Sequence, residues 1–322
     1  MDNNLKTFLS KHRKLNQPYL ETFLSKQRKL NQENKAYFNN DALTLQSRRQ
    51  AREKINKAIT NGQINWKLFG TKLLTTNTKL QKIDATSNQL VLTVGLQLAP
   101  SFSSGYNTCS FASECAKICL DTSGHGQNHM MQTLPNGEKI HYVHVARHAR
   151  TILLFEHKEQ FKEQLIKEIT TQQIRARRLG AILAVRLNVL SDIEWETVFP
   201  ELWEIFRTET FMREELKKLG YPHTDVIFYD YAKNPFRKST PNYPLTFSRN
   251  EINHDIMLQS NGNLAVVFNV KKGQPLPKTF KGRQVIDGDL HDNRFSDPQN
   301  IIVGLRAKGN AKNTKSNFVV KV

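Results

Sequence analysis

From residue 90 onward the chain repeats one pattern that restricts its fold more than any other feature. Short apolar and β-branched runs recur, each followed by a helical or loop stretch. The runs are LVLTVGLQLAP (90–100), AILAVRLNVLSD (181–192), TDVIFYDY (224–231), YPLTFSR (243–249), NLAVVFNV (263–270), RQVIDG (283–288) and NIIVGLRA (300–307). Runs of this length and composition read as buried strands. Between the first two lies HVARHARTILLFEHKEQFKEQLIKEITTQQIRARR (144–178), which reads as one long helix with Phe155, Leu165 and Ile169 on its apolar face. WETVFPELWEIFRTETFMREELKKLG (195–220) is helical again, interrupted near Pro200. Strands that alternate with crossovers predict a parallel sheet. Seven strands with short crossovers predict an α/β fold, a complete or partial (β/α) barrel.

In barrels the chemistry gathers at the carboxyl ends of the strands. Those ends are polar here: Arg186, Asn188 and Asp192; Asp230 and Lys233; Ser248 and Arg249; Asp287 and Asp289; Arg306 and Lys308. Polar loops follow strands in any protein, but five such ends on one rim point to a functional rim. Arg186 stands inside an apolar strand and needs a partner. Asp192 is also placed to cap the helical segment after it. The roles expected are cofactor contact for Arg186, Asn188 and Asp192, and a substrate cavity lined by Asp230, Lys233, Arg249 and Asp287.

The chain has three cysteines, and all lie in GYNTCSFASECAKICLDTSGHGQ (105–127), as Cys109, Cys115 and Cys119. A loop can curl such a C-x5-C-x3-C set around one centre. Three thiolates can hold a [4Fe–4S] cluster with one iron left open for a substrate or S-adenosylmethionine; four-cysteine clusters are the commoner arrangement. Zinc would want a fourth ligand, which His125 or His129 could supply. Three ordinary buried thiols are the remaining reading. An odd number of cysteines fits a reducing compartment better than a disulfide scaffold.

The loop directly follows the first core strand. That placement resembles the radical S-adenosylmethionine enzymes, whose cluster loop sits after the first strand of a partial (β/α) barrel. The spacing departs from their usual C-x3-C-x2-C, and Ile118 stands where an aromatic residue usually precedes the third cysteine. A resemblance over most of the chain is carried by LAPSFSSGYNTCSFASECAKICL, AVRLNVLSDIEWE, FYDYAKNP, LTFSRNE, VIDGDLHDNRFSDP and VGLRAKGNAK. In order and spacing these segments resemble the phage "gene product eighty-eight" family from about residue 88 onward. The resemblance implies a phage or mobile-element origin, and hence a host-cytoplasmic protein. It implies no particular chemistry.

Other motifs argue less. Asp287, Asp289, Asp292 and Asp297 cluster, but without the terminal bidentate Glu of an EF-hand. Six histidines fall between 125 and 157; His144 and His148 share a helical face without the glutamate of HExxH, and most read as surface or phosphate-facing groups. KGNAK near the end lacks P-loop spacing.

Residues 1–82 read as a basic, largely helical extension, and 83–322 as the barrel-like domain. LKTFLSKHRKLNQ (5–17) returns as LETFLSKQRKLNQ (20–32), fifteen residues later, with Pro18 between the copies. NDALTLQSRRQAREKINKAIT reads as an amphipathic helix with Asp41 near its start. Residues 1–60 hold 13 Lys and Arg against 5 Asp and Glu, and residues 1 to about 80 are expected to be an appendage to the core. The whole chain carries a net charge of +18, which points to a polyanionic partner, nucleic acid or a nucleotide. No run approaches a membrane span, and the first residues are too polar for a signal peptide, so a cytoplasmic protein is expected. The expected function is that of a divergent iron–sulfur enzyme, of radical S-adenosylmethionine type, acting on a nucleic-acid or nucleotide substrate. The alternative is a non-catalytic nucleic-acid-binding protein with a structural zinc site.

Overall fold

The computed structural model describes residues 17–77, 80, 90–120, 131–133, 135, 137–206, 226–240 and 243–322. The fold is mixed α/β, with two largely parallel sheets and helices packed against them. The first sheet has the order β1 (Leu74–Thr75), β2 (Val91–Leu96), β3 (Ile182–Arg186), β4 (Val226–Phe228). Only the β1–β2 pair is antiparallel. The second sheet contains β5 (Asp230–Ala232), β6 (Leu245–Ser248), β7 (Leu264–Phe268), β8 (Thr279–Phe280), β9 (Arg283–Asp287), β10 (Ile302–Arg306) and β11 (Val319–Val320). Its order is β8-β9-β10-β7-β6-β5, and β11 pairs with β7 where β6 has ended. All seven apolar runs therefore contain strand. The run 224–231 supplies two of them, parted by Tyr229, so one stretch of chain belongs to both sheets. The Tyr229 N–H still donates to Val185 O on the first sheet at 3.2 Å, while the next residue pairs in the second.

β3 is buried at all five positions, as expected of a parallel strand covered on both faces. Gly95 in β2 marks a close approach. A Cβ there would lie 2.5 Å from Val189 Cγ2, so the turn after β3 passes directly over the strand.

Segment 144–178 is two helices rather than one. α3 (Tyr142–Glu156) ends at His157, whose φ of −132° and ψ of 52° leave the helical region, and α4 (Lys158–Arg178) begins beside it. The break changes the apolar face. Phe155 points outward and stacks on Tyr106 at 4.6 Å, and Phe161 joins Leu165 and Ile169 in the core. Between β3 and β4, helical structure among the described residues is confined to Trp195–Val198 and Glu201–Ile205, on either side of Pro200. Residues 207–220 lie outside the described residues.

The extension is part of the core rather than an appendage. α1 (Gln17–Asn40) contains the second repeat copy, with Pro18 in its first turn, where a missing N–H costs no intrahelical bond. α2 (Ala42–Ala58) starts as expected at Asp41, whose carboxylate accepts from Thr44 N at 2.8 Å. Ala51, Ile55, Ala58, Phe69 and Leu73 share one buried cluster with the strands. Leu20 and Phe23 of α1 pack with Phe236 and Ile256, and Phe23 stacks on Phe111 of the cysteine loop at 6.3 Å. The first repeat copy lies outside the described residues except for its last residue.

Truncating the buried Phe23 to Ala should cost about 3–5 kcal/mol. Urea denaturation of the two proteins measures it. A change under about 0.5 kcal/mol, the size of an ordinary surface substitution, would mean that α1 does not dock as described.

Candidate functional site: a thiol-lined cavity at the strand ends

The cysteine loop is fixed from three sides. On the α1 side, Gln27 Nε2 donates to Ala112 O at 2.8 Å, Asn31 Nδ2 to Ser110 O at 3.0 Å and Asn34 Nδ2 to Ser113 O at 3.4 Å. Their spacing of four and three residues puts the three amides on one helical face. Arg48 of α2 donates to the carbonyls of Phe102 and Ser103, both at 2.6 Å. From the second sheet, Asn250 Nδ2 donates to Phe111 O at 3.1 Å. Phe38 packs against Cys109, Ala112, Cys115 and Ala116.

Held this way, Cys109, Cys115 and Cys119 all line one cavity of about 180 Å³. None is in a disulfide. The opposite walls come from the carboxyl ends of β3, β5, β6, β7 and β10, through Arg186, Lys233, Ser248, Arg249 and Arg306 among others. Burial pushes the Cys109 thiol above its usual pKa and Cys115 up to about 11, against the pull of the Lys233 ammonium. Lys233 itself is raised: burial opposes its charge, and Cys109, Cys115, Asp192 and Cys119 together outweigh that opposition. Burial thus favours the neutral thiols of Cys109 and Cys115, beside a cation that favours their ionisation.

The rim residues expected from sequence divide into those that face the cavity and those that build its wall. Arg186, Asn188, Lys233, Arg249, Asp289 and Lys308 line it. The Arg186 guanidinium is bound to Asp292, with Nη1 at 2.9 Å from Oδ2, and lies over the Tyr231 ring at 4.5 Å. The Asn188 side chain is spent on its own turn. Its oxygen accepts from Ser191 Oγ, Ile193 N and Trp195 Nε1, and its amide donates to Ile193 O.

Asp192 is not the helix cap. The residue before the helix is Glu194, and both Asp192 oxygens instead accept from Lys233 N at 3.1 Å, with Arg237 Nη1 3.6 Å away. Asp192 thus fixes the backbone of the lysine that faces the thiols. Asp230 and Asp287 are absent from the lining. Asp287 and Asp289 are both paired with Arg306, and Asp289 also with Lys308 at 2.7 Å.

Asp230 is fully buried between the sheets. It accepts from Asn188 N at 2.7 Å and from Tyr243 Oη at 2.6 Å. Burial raises its pKa from 3.8 to about 7, with Arg186, Tyr243 and Asn188 working the other way. The roles of α1 and Tyr243 were missed from sequence. Only the placement of amides four and three apart on a helix could have hinted at the first.

The histidines depart from the surface reading. His141 and His148 are buried, and with His144 they border a second cavity of about 170 Å³ that shares Cys119 with the first. His125 and His129, the zinc ligands considered from sequence, lie outside the described residues.

These features define a class: a mixed α/β protein with a thiol- and cation-lined cavity at the carboxyl ends of its parallel strands. The family model "Gene product 88" matches residues 70–322, and the chain belongs to that family. No curated protein and no solved structure matches the chain. No described helix is long and apolar enough to cross a membrane.

Asp230 gives a pH test. A carboxyl with a folded pKa above its unfolded value binds its proton more tightly in the folded state, so its contribution to stability falls as pH rises from about 4 to about 7. Asp230→Asn should remove that part of the pH dependence. Urea midpoints of both proteins across this range measure it, and parallel pH profiles would refute the assignment.

Proposed function

We propose that the chain is an iron–sulfur enzyme of a phage or mobile element, built on a partial (β/α) barrel to which both sheets contribute. Its substrate would be a nucleotide or nucleic acid. One observation carries the reading: every cysteine of the chain opens onto the same cavity at the carboxyl ends of the parallel strands.

Three cysteines line one cavity, and cysteine thiolates are the ligands that an iron–sulfur group takes. Cys109, Cys115 and Cys119 would hold a [4Fe–4S] cluster. When bound, such a group supplies one-electron chemistry and keeps one iron open for S-adenosylmethionine or a substrate.

The chain's own residues do the rest. Lys233 offsets the charge of ionised thiols. Asp192 holds the lysine's backbone in place. Ala112, Ile118 and Phe318 line the cavity with apolar surface and restrict water. The net charge of +18 favours a polyanionic substrate.

Anaerobic purification with iron, sulfide and zinc analysis tests the proposal. About four irons per chain with visible charge-transfer absorption are expected, and Cys109→Ala should lose both. One zinc and no iron would transfer the case to a nucleic-acid-binding protein with a structural metal. Neither metal would leave the thiols as packing groups and end the enzyme reading.

A further inference from the structure

Most charges around the cavity are compensated. Arg186 has Asp292, Arg306 has Asp287 and Asp289, and Lys308 has Asp289. Two cations that line it are different. Lys233 Nζ makes no hydrogen bond or ion pair among the described residues. Arg249 has no carboxylate partner there. Its Nε donates to His254 Nδ1 at 3.0 Å and its Nη1 to the carbonyls of Asn317 and Phe318, which leaves Nη2 without a protein acceptor.

A third group points the same way. Ser101 lines the cavity, is 1% exposed, and its hydroxyl has no hydrogen-bond partner. It is held at a φ of +48°, a conformation that a non-glycine residue adopts at a cost. A buried hydroxyl without a partner needs an explanation, and an absent ligand is one. Asp289 is the one carboxylate among the described lining residues, and it is already paired with Arg306 and Lys308.

We propose that this cavity binds the oxyanion head of a small molecule, a phosphate or carboxylate, through Lys233, Arg249 and Ser101. The proposal deepens the site reading above but does not require the cluster. Two cations with no carboxylate in ion-pair contact, in a partly apolar enclosure, favour an anion more strongly than they would in water. Arg and Ser hydrogen-bond phosphate and carboxylate oxygens directly. The mixed lining fits a ligand with an apolar body and one anionic end.

The thiols provide the probe. In the metal-free full-length chain, Cys119 is the partly exposed thiol of the three, and it lines the same cavity. Its alkylation by iodoacetate, an anion, is compared with that by neutral iodoacetamide, using peptide mass spectrometry. The ratio of the two rates should exceed that of free cysteine by about tenfold, as expected for an anion-attracting cleft. Inorganic phosphate should lower the ratio further than chloride at equal ionic strength, because a bound oxyanion blocks the site whereas salt only screens it.

Arg249→Gln and Lys233→Gln should each reduce the ratio. If either variant misfolds, the phosphate–chloride comparison on the unaltered chain still decides. A ratio equal to that of free cysteine, or one lowered equally by both salts, would overturn the proposal. If a cofactor already occupies the thiols of the purified chain, equilibrium dialysis of phosphate against that form replaces alkylation. Saturable binding supports the site, and its absence refutes it. Metal content is measured separately, so failure of the cluster reading and failure of the anion site are distinguishable.

Discussion

The rest of the site depends on how the chain passes from one sheet to the other at Tyr229 and Asp230. A parallel strand normally belongs to one sheet. Here β4 and β5 are a single run of chain, and the switch leaves a buried carboxylate at the seam. Asp230 ties the turn after β3, through Asn188 N, to Tyr243 just before β6. Its neighbour Arg186 answers to Asp292 in the loop after β9, which Tyr229 Oη also reaches at 3.0 Å. A buried ion pair of this kind is weak evidence of net stability, since desolvation offsets much of the attraction. Its effect here is geometric. It joins strands β3 and β5 to the loop after β9, and so fixes which polar groups face the cavity between them.

The helical extension does the complementary work on the other wall. A loop with eleven residues from first to last cysteine cannot satisfy its own backbone, and buried carbonyls without partners are costly. Three amides of α1 and the guanidinium of Arg48 accept that role. The thiols therefore converge because side chains about eighty residues earlier hold the loop, and no property of the loop sequence alone explains the convergence.

Much of the scaffold was legible in the sequence. Each apolar run contains strand because β-branched residues without polar alternation suit a sheet covered on both faces. The cysteines and the polar strand ends line one cavity, since strand ends in parallel sheets share one side. What the sequence did not disclose was partnership. Asp192 and Asp230 are acidic residues after strands, indistinguishable by type. Asp192 accepts the backbone N–H of Lys233, and Asp230 accepts the backbone N–H of Asn188 and the Tyr243 hydroxyl. The helix at 144–178 kept its periodicity through His157, so the break there was invisible, and Phe155 was placed on the wrong face. The core role of the extension was hidden by its charge, because lysines and arginines on the exposed faces of α1 and α2 mask a narrow apolar stripe.

Arg249 has a consequence for how the site comes into being. It reaches the carbonyls of Asn317 and Phe318, and Phe318 closes the same cavity to which Pro100 contributes. The lining thus spans more than two hundred residues of chain. On a ribosome, the cysteine loop emerges long before the wall that encloses it. Whatever the cavity holds must enter a finished protein, or must itself wait on an open loop until the final strand arrives.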